Sequence, residues 1–210
     1  MKKLNYTFTN PALFDLAMVQ SGANAAQNNE RLEFLGDRVL GLAVAELLYK
    51  MFQGESEGDL AKRHAALVST NTLAVVAREF GFDKLIKHGH MTGGKMNHIA
   101  ANATEAVLGA IYLDGGFDAA RAVVIDAWTD IATAAAQPPV DFKTALQELV
   151  QRMDSGALPV YEYTSGSGKN HSPVFNVRVA ALGKSAEGSG STKKSAGAAA
   201  AEKLLGMLKK

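Results

Sequence analysis

The sequence predicts two domains of different fold class, an all-α domain followed by a small α+β domain with the element order α-β-β-β-α. Apolar residues recur at helical spacing from Pro11 to Ala136, and no convincing alternating strand interrupts them. Two adjacent prolines, Pro138 and Pro139, then break the helical pattern, and alternation typical of strands follows. We therefore predict a first domain over residues 1–136, a linker over 137–141 and a second domain over 142–210.

The first domain is predicted to contain at least five helices, separated by polar or glycine-rich stretches. The main breaks lie at residues 22–29, 54–58 and 88–95, and a double glycine at 115–116 divides the last apolar region. The predicted helices span residues 11–20, 30–52, 58–80, 97–114 and 117–136.

The second domain begins with a helix that has one apolar face, predicted over 142–153. Residues 160–164 and 174–179 then alternate or cluster strand-forming residues, and a turn-rich segment separates them. A third short strand is expected near 184–188. An alanine-rich helix over 193–208 completes the domain.

Composition narrows the class of protein before any motif is considered. The apolar fraction is 47%, the charged fraction is 20%, and no apolar run approaches the length of about 18 residues expected of a membrane span. The first residues lack the hydrophobic core of a signal peptide. The absence of cysteine excludes disulfides and thiolate metal sites. We therefore expect a globular cytoplasmic protein with no membrane partner.

The charge is distributed unevenly between the two domains. Residues 1–140 carry 12 Lys and Arg against 15 Asp and Glu, a net charge of −3, whereas residues 141–210 carry 10 against 6, a net charge of +4. This asymmetry favours a polyanionic partner for the second domain, although a solvated basic surface would give the same count.

Three acids share one face of the predicted helix over 30–52. Glu30, Glu33 and Asp37 stand at positions i, i+3 and i+7, so their charges repel one another. One interpretation is a solvated face; the other is a cleft in which a divalent cation offsets the repulsion. Gly36 in mid-helix and the shortage of lysines at i+4 favour the cleft. The residues expected to pack around it are Leu32, Phe34, Leu35, Val39, Leu40 and Leu42.

A fourth acid lies on another apolar helix. Glu105 is the one full charge in HIAANATEAVLGAIYLDGG, residues 98–116, before the helix ends at Asp114. A carboxylate among apolar and small residues needs a partner, and a cation shared with Glu33 and Asp37 would supply one. Oxygen ligands without cysteine or a close histidine pair favour Mg²⁺ or Mn²⁺, ions that serve phosphoryl chemistry.

Three blocks of the first domain resemble the ribonuclease III family. They are NERLEFLGD at 29–37, EGDLAKRHAALVSTNTLAVVAREFG at 57–81 and TEAVLGAIYLDGG at 104–116. The resemblance implies an all-helical endonuclease domain that forms a symmetric homodimer with two active sites, one for each strand of a double-stranded RNA. It also implies Mg²⁺ at each site, with Mn²⁺ as a substitute.

The same resemblance assigns residue roles. Asp37 and Glu105 match the catalytic acids, the metal ligands correspond to Glu33, Asp37, Asn102 and Glu105, and Glu30 has a less central role. The implied reaction leaves 5′-phosphate and 3′-hydroxyl ends with a short 3′ overhang. Its implied purpose is the processing of ribosomal RNA and other structured precursors.

Two positions depart from the family pattern. Asn102 stands three residues before Glu105, where the family usually has aspartate, and Gln20 replaces a common histidine. An asparagine there still offers a neutral oxygen on the same helical face. It is either a tolerated variant, a loss of activity or a structural residue, and we favour the first. The alternative function is a double-stranded RNA-binding protein with impaired nuclease activity.

The second domain resembles a double-stranded RNA-binding domain in its element order and in three segments. These are FKTALQELVQ at 142–151, GKNHSPVF at 168–175 and GSGSTKKSAGAAAAEKLL at 188–205. A helix N-terminus with adjacent lysines suits phosphate, although a glycine-rich linker followed by solvated lysines would look similar. The RNA-binding residues that the resemblance implies are Gln147, Glu148, His171, Lys193 and Lys194.

Overall fold

The computed structural model describes residues 2–24, 26–89, 96–134, 138, 140–164 and 174–209. The chain divides into two compact units, Met1–Pro139 and Val140–Lys210, and each unit has its own hydrophobic core. The first unit is helical and the second has the order α-β-β-β-α. The predicted fold class is therefore confirmed.

The first unit is built around two long helices, α2 and α5, which pack against each other, while α4 and α1 also contact α5. Its largest fully buried side chain is Trp128, whose indole nitrogen donates to the carbonyl of Leu67 at 3.0 Å. The elements are α1 (Pro11–Ala17), α2 (Glu30–Met51), α3 (Glu57–Leu67), α4 (Thr70–Phe80), a 3₁₀ helix (Phe82–Lys84) and α5 (Met96–Ala134).

The single helix predicted over 58–80 is wrong, because the structure has two helices there. The break falls at Ser69, which has an extended backbone with φ −70° and ψ 150° and whose side chain accepts from the Thr72 amide as an N-cap. The Thr72 hydroxyl in turn donates to the carbonyl of Ala66 at 2.7 Å. A serine cap ends one helix and begins the next without disturbing the apolar spacing, so periodicity alone does not reveal it.

The predicted separation of helices near residues 115–116 is confirmed by a break inside α5. Gly116 has φ 82° and ψ −178°, a conformation that glycine adopts because it has no Cβ. The helical segment that ends there contains Asn102 and Glu105, and the segment that follows contains Trp128.

Two residues that we expected to pack in the core are instead exposed. Phe34 and Leu42 on α2 expose 67% and 59% of their surface, whereas Leu32, Val39 and Leu40 are buried as predicted. A helix that carries apolar residues on most of its sides does not reveal which of them will be exposed. The tertiary fold decides this, and the sequence pattern does not specify it.

The second unit packs two helices on one face of an antiparallel sheet with strand order β1-β2-β3. Leu182 and Gly183 have φ of 51° and 75°, the left-handed conformations expected of a tight hairpin turn between β2 and β3. The predicted elements are confirmed, with β2 and β3 each reaching two residues further. They are α6 (Phe142–Met153), β1 (Val160–Thr164), β2 (Phe175–Ala181), β3 (Lys184–Gly190) and α7 (Lys193–Leu208).

Within the described ranges, no helix combines the length and the apolar character that crossing a membrane requires.

Candidate functional site

A backbone contact between α2 and α5 positions the candidate catalytic residues. A Cβ on Gly36 would lie 1.7 Å from the carbonyl oxygen of Glu105, and a Cβ on Gly109 would lie 2.2 Å from the carbonyl oxygen of Leu32. Neither position can accept a side chain unless the helices move apart. Helix propensity disfavours Gly36 in the middle of α2, and its presence there is explained by the close packing of the α2 and α5 backbones.

This contact places three carboxylates near one another. Glu33 and Asp37 flank Gly36 on α2, Glu105 lies on α5, and all three are partly buried. We call these three residues the acidic cluster. The pKa of the Glu105 carboxyl is raised to about 7, mainly by burial and then by the charges of Asp37 and Glu33. The cluster therefore holds more negative charge than its surroundings stabilise.

Asn102 contacts this cluster through Glu33. Burial raises the pKa of Glu33, and the charges of Glu30 and Asp37 act in the same direction, whereas a hydrogen bond from the Asn102 side chain opposes the rise. An asparagine can donate through its amide, which an ionised aspartate cannot do. The departure from the family pattern at Asn102 therefore replaces a charge repulsion with a hydrogen bond.

Arg38 is a cation beside the cluster that the sequence analysis did not single out. Its guanidinium forms an exposed ion pair with Asp37, lies 5.7 Å from the ring centroid of Phe34 and lowers the pKa of Glu105. Side chains of Arg38 and Asp37 are 71% and 39% exposed. An ion pair this exposed adds little stability and offsets only part of the cluster's charge.

The donor set of the cluster fits a hard divalent cation. The available ligands are carboxylate oxygens and one amide oxygen, and carboxylates that repel one another are relieved by a cation. Among the described residues, no three His, Cys, Asp or Glu side chains are already close enough to hold an ion directly. Mg²⁺ usually retains several waters and is bound through one or two carboxylates, so such a site does not require that closeness.

Asp114 ties the N-terminal segment to α5, a role that sequence reasoning missed. Its carboxylate accepts from the Tyr6 hydroxyl and the Thr9 amide, both at 2.7 Å, and from the Asn10 amide at 2.8 Å. The Asn10 side chain in turn accepts from the amide of Ala12 and caps α1. These contacts join residues more than 100 positions apart, so no local pattern reveals them.

An apolar surface depression lies beside α1 and α2. Phe34 and Leu113 are among its lining residues, and they expose 67% and 56% of their surface. We call this surface the apolar hollow; its apolar lining residues include Leu13, Leu16, Leu32, Leu35 and Leu113. An exposed phenylalanine next to a leucine-lined depression is typical of a protein interaction surface.

The second unit presents the lysine pair at the start of α7. The helix begins at Lys193, and a capping box between Thr192 and Ser195 satisfies its first amides. Lys193, Lys194, Gln147 and Glu148 are all exposed. His171 lies outside the described residues.

Family comparisons agree with this division of the chain. Residues 11–130 match the family described as Ribonuclease-III-like, and residues 142–208 match the double-stranded RNA binding motif. Relatives named Ribonuclease 3 span nearly the whole chain. The protein from Rhizobium meliloti is 41% identical over 96% of this chain and 87% of its own length, and that from Vibrio vulnificus is 38% identical over 99% and 95%.

Solved structures give the same result. A nuclease domain of ribonuclease III from Campylobacter jejuni, solved in work on flexibility in its dimer-forming region, is 34% identical with a TM-score of 0.53. It covers 60% of this chain and 94% of its own. Dicer from Pichia stipitis is 26% identical with a TM-score of 0.54, and the match covers 98% of this chain and 97% of the Dicer chain.

The helical unit with its acidic cluster and the α-β-β-β-α unit define an endoribonuclease with an appended double-stranded RNA-binding domain. The chain belongs to the ribonuclease III family.

Proposed function

We propose that this chain is a metal-dependent endoribonuclease that cleaves double-stranded RNA in ribosomal RNA and other structured precursors in the cytoplasm. Its products carry 5′-phosphate and 3′-hydroxyl ends with a short 3′ overhang. The observation that carries this proposal is the acidic cluster, which is partly buried at the Gly36–Glu105 backbone contact and in which the pKa of Glu105 is raised to about 7. A carboxyl with such a pKa is only partly ionised at neutral pH, and a bound cation would favour its ionised form.

Four side chains would hold the metal. Glu33, Asp37 and Glu105 provide carboxylate oxygens, and Asn102 provides a neutral one. When bound, Mg²⁺, or Mn²⁺ as a substitute, supplies a water of lowered pKa and neutralises charge on the phosphate. Asp37 and Glu105 are the catalytic residues of this proposal.

The chain's own groups position these ligands. Hydrogen bonding from the Asn102 side chain lowers the pKa of Glu33 and so favours its ionised form, which burial and the charges of Glu30 and Asp37 disfavour. Gly36 allows Asp37 on α2 to approach the helix that bears Glu105. Preorganised ligands of this kind lower the cost of assembling the reactive geometry.

We also propose that the chain forms a homodimer through its endonuclease domain. The support is the apolar hollow with the exposed Phe34 in its lining, because a two-fold pair places the same surface of each copy against the other. A symmetric dimer has two acidic clusters, one for each RNA strand, and offset cuts in the two strands leave an overhang.

The second domain would bind duplex RNA by shape and charge. Lys193 and Lys194 at the N-terminus of α7 suit backbone phosphates, and exposed Gln147 and Glu148 on α6 suit the wide minor groove of A-form RNA. His171 is a further predicted groove contact. None of these interactions requires a particular base sequence.

A cleavage assay tests the proposal. The purified full chain is incubated with a long RNA duplex and Mg²⁺, and both the product lengths and the end groups are analysed. We expect short duplexes with 5′-phosphate and 3′-hydroxyl ends and no such products in EDTA. A gel shift without cleavage in either Mg²⁺ or Mn²⁺ would contradict the nuclease and favour the RNA-binding alternative.

A further inference from the structure

Tyr163 lies near the N-terminal part of α7, close to Lys193 and Gly197. It lies on β1 and is 46% exposed. Both Tyr163 and Lys143 border Gly197 on α7: a Cβ there would lie in ordinary contact, 3.7 Å from the Tyr163 hydroxyl and 3.6 Å from the Nζ of Lys143 on α6. The hydroxyl and the ammonium group therefore border the same position on α7.

Two lysines are held against tyrosine rings of β1. The Nζ of Lys193 lies 5.9 Å from the ring centroid of Tyr163, and the Nζ of Lys143 lies 4.4 Å from that of Tyr161. An ammonium group over an aromatic face is attracted by the ring's electron density. The rings therefore restrict side chains that would otherwise be mobile, and they keep two positive charges on the same side of the sheet.

The acids near this site are either engaged or on the opposite face. Asp141 is the N-cap of α6, and its Oδ1 accepts from the amides of Lys143 and Thr144 at 3.0 and 3.2 Å. Across the sheet, Glu162, Arg178 and Glu187 are exposed and lie in register on β1, β2 and β3. That outer face carries two acids and one base, whereas Lys143 and Lys193 lie beside the tyrosine rings at the edge of the helix-covered face.

We propose that Tyr163 is an RNA-contacting residue of this domain. Its ring positions Lys193, and its hydroxyl together with the ammonium group of Lys143 binds a backbone phosphate of duplex RNA. The hydroxyl donates to a phosphate oxygen and the ammonium group neutralises the charge, so the contact is independent of sequence. The inference rests on the proposed binding of RNA by the second domain and adds two residues, Tyr163 and Lys143, to that surface.

Binding of the full chain to a fluorescent RNA duplex in EDTA tests this inference, because the RNA then stays intact. Tyr163→Val removes the aromatic ring and substitutes a residue that favours a β-strand. Tyr163→Phe removes the hydroxyl alone. We expect Tyr163→Val to weaken binding about two- to five-fold, the size of an exposed cation–π contact. Tyr163→Phe and Lys143→Met should each weaken binding as well.

Coupling between Tyr163 and Lys193 distinguishes positioning from a general structural effect. If the ring positions the lysine, Tyr163→Val has a smaller effect in a Lys193→Ala background than in the unaltered chain. Lys203→Ala is the matched control, because Lys203 lies on the same helix about 15 Å further along and donates to the carbonyl of Glu187 at 2.9 Å. It should leave affinity unchanged.

Thermal unfolding of each variant shows whether the domain remains folded, and Tyr163→Phe keeps the test valid if Tyr163→Val does not fold. Folded Tyr163 variants that bind as tightly as the unaltered chain would overturn this inference alone. The inference would also be overturned if Tyr163→Val weakened RNA binding by the same factor in the unaltered chain and in the Lys193→Ala background. If the unaltered chain itself fails to bind duplex RNA, the proposed RNA surface fails together with this inference.

Discussion

Gly36 and Glu105 are in direct backbone contact, and a Cβ on Gly36 would come within 1.7 Å of the Glu105 carbonyl oxygen. The contact fixes the separation of α2 and α5 at the point where both carry acids. The geometry of the acidic cluster therefore depends on the absence of a Cβ at position 36.

Replacing Gly36 with alanine is expected to push α2 and α5 apart. Because the obstacle is backbone, the added methyl group should cost about 1–3 kcal/mol in the free energy of unfolding and should reduce cleavage in the fraction that stays folded. Urea unfolding and initial cleavage rates measure the two effects. Gly41→Ala on the same helix is the control, since its nearest contact would be an ordinary 3.8 Å to the His64 ring, and it should be neutral or slightly stabilising.

Stability of the metal-free protein should fall as the pH rises from about 4.5 to 7. The pKa of Glu105 is raised from 4.5 to about 7 in the folded state, so the folded protein binds the proton more tightly than the unfolded chain. Deprotonation therefore costs the folded state more than it costs the unfolded chain, and the loss of stability is complete once the pH exceeds the raised pKa. The pKa of Glu33 is also raised, which acts in the same direction.

Urea unfolding in EDTA measures this effect at about pH 5 and about pH 8, two values that lie on either side of the raised pKa of Glu105. Glu105→Gln should show a smaller loss of stability between the two conditions, because groups that titrate in both proteins cancel. An equal loss in both proteins would mean that Glu105 does not titrate abnormally.

Asn102→Asp should change the use of metal. The substitution removes the amide that donates to Glu33 and adds a fourth carboxylate, so the metal-free protein should become less stable and the Mg²⁺ concentration for half-maximal cleavage should fall. Titrations of cleavage rate and of unfolding temperature with Mg²⁺ measure both. Asn97→Asp, an exposed position near the start of α5, is the control for added charge. Unchanged metal dependence in Asn102→Asp would place Asn102 away from the ion.

Phe34→Ser should shift the protein from dimer to monomer. The 67% exposure of the Phe34 ring beside the apolar hollow is explained if a second copy covers it, and a serine removes that buried area. Sedimentation equilibrium over a range of concentrations measures the dissociation constant. Leu85→Ser replaces another residue with an exposed side chain, at 51%, outside the hollow, and should have no effect. A dimer equally stable in both variants would require a different interface.

Local sequence signals predicted much of this fold. The second unit follows alternation, turn residues and a helix cap, all of which act within a few residues, and its elements match closely. The break at Ser69 was missed because a cap interrupts a helix without changing its apolar spacing. The exposure of Phe34 was missed because the sequence of one chain does not mark which apolar face remains for a partner.

The candidate site was predictable only in part for the same reason. Glu33, Asp37 and Glu105 stood out as acids on apolar helices, and the backbone contact at Gly36 explains how they come together. Asp114 and Tyr163 did not stand out, because their partners lie in distant segments. Asp114 pairs with Tyr6, Tyr163 lies beside Lys193, and both Tyr163 and Lys143 border Gly197. Such pairings exist only once the chain is folded.

The most direct test of the central claim compares cleavage and binding in one sample series. The unaltered chain, Asp37→Asn and Glu105→Gln are each mixed with the same RNA duplex, and cleavage in Mg²⁺ is measured beside duplex affinity in EDTA. We expect that the unaltered chain cleaves the duplex, that both variants lose cleavage, and that all three bind with similar affinity. Cleavage that survives in Asp37→Asn and Glu105→Gln would contradict it, because the acidic cluster would then not be the active site.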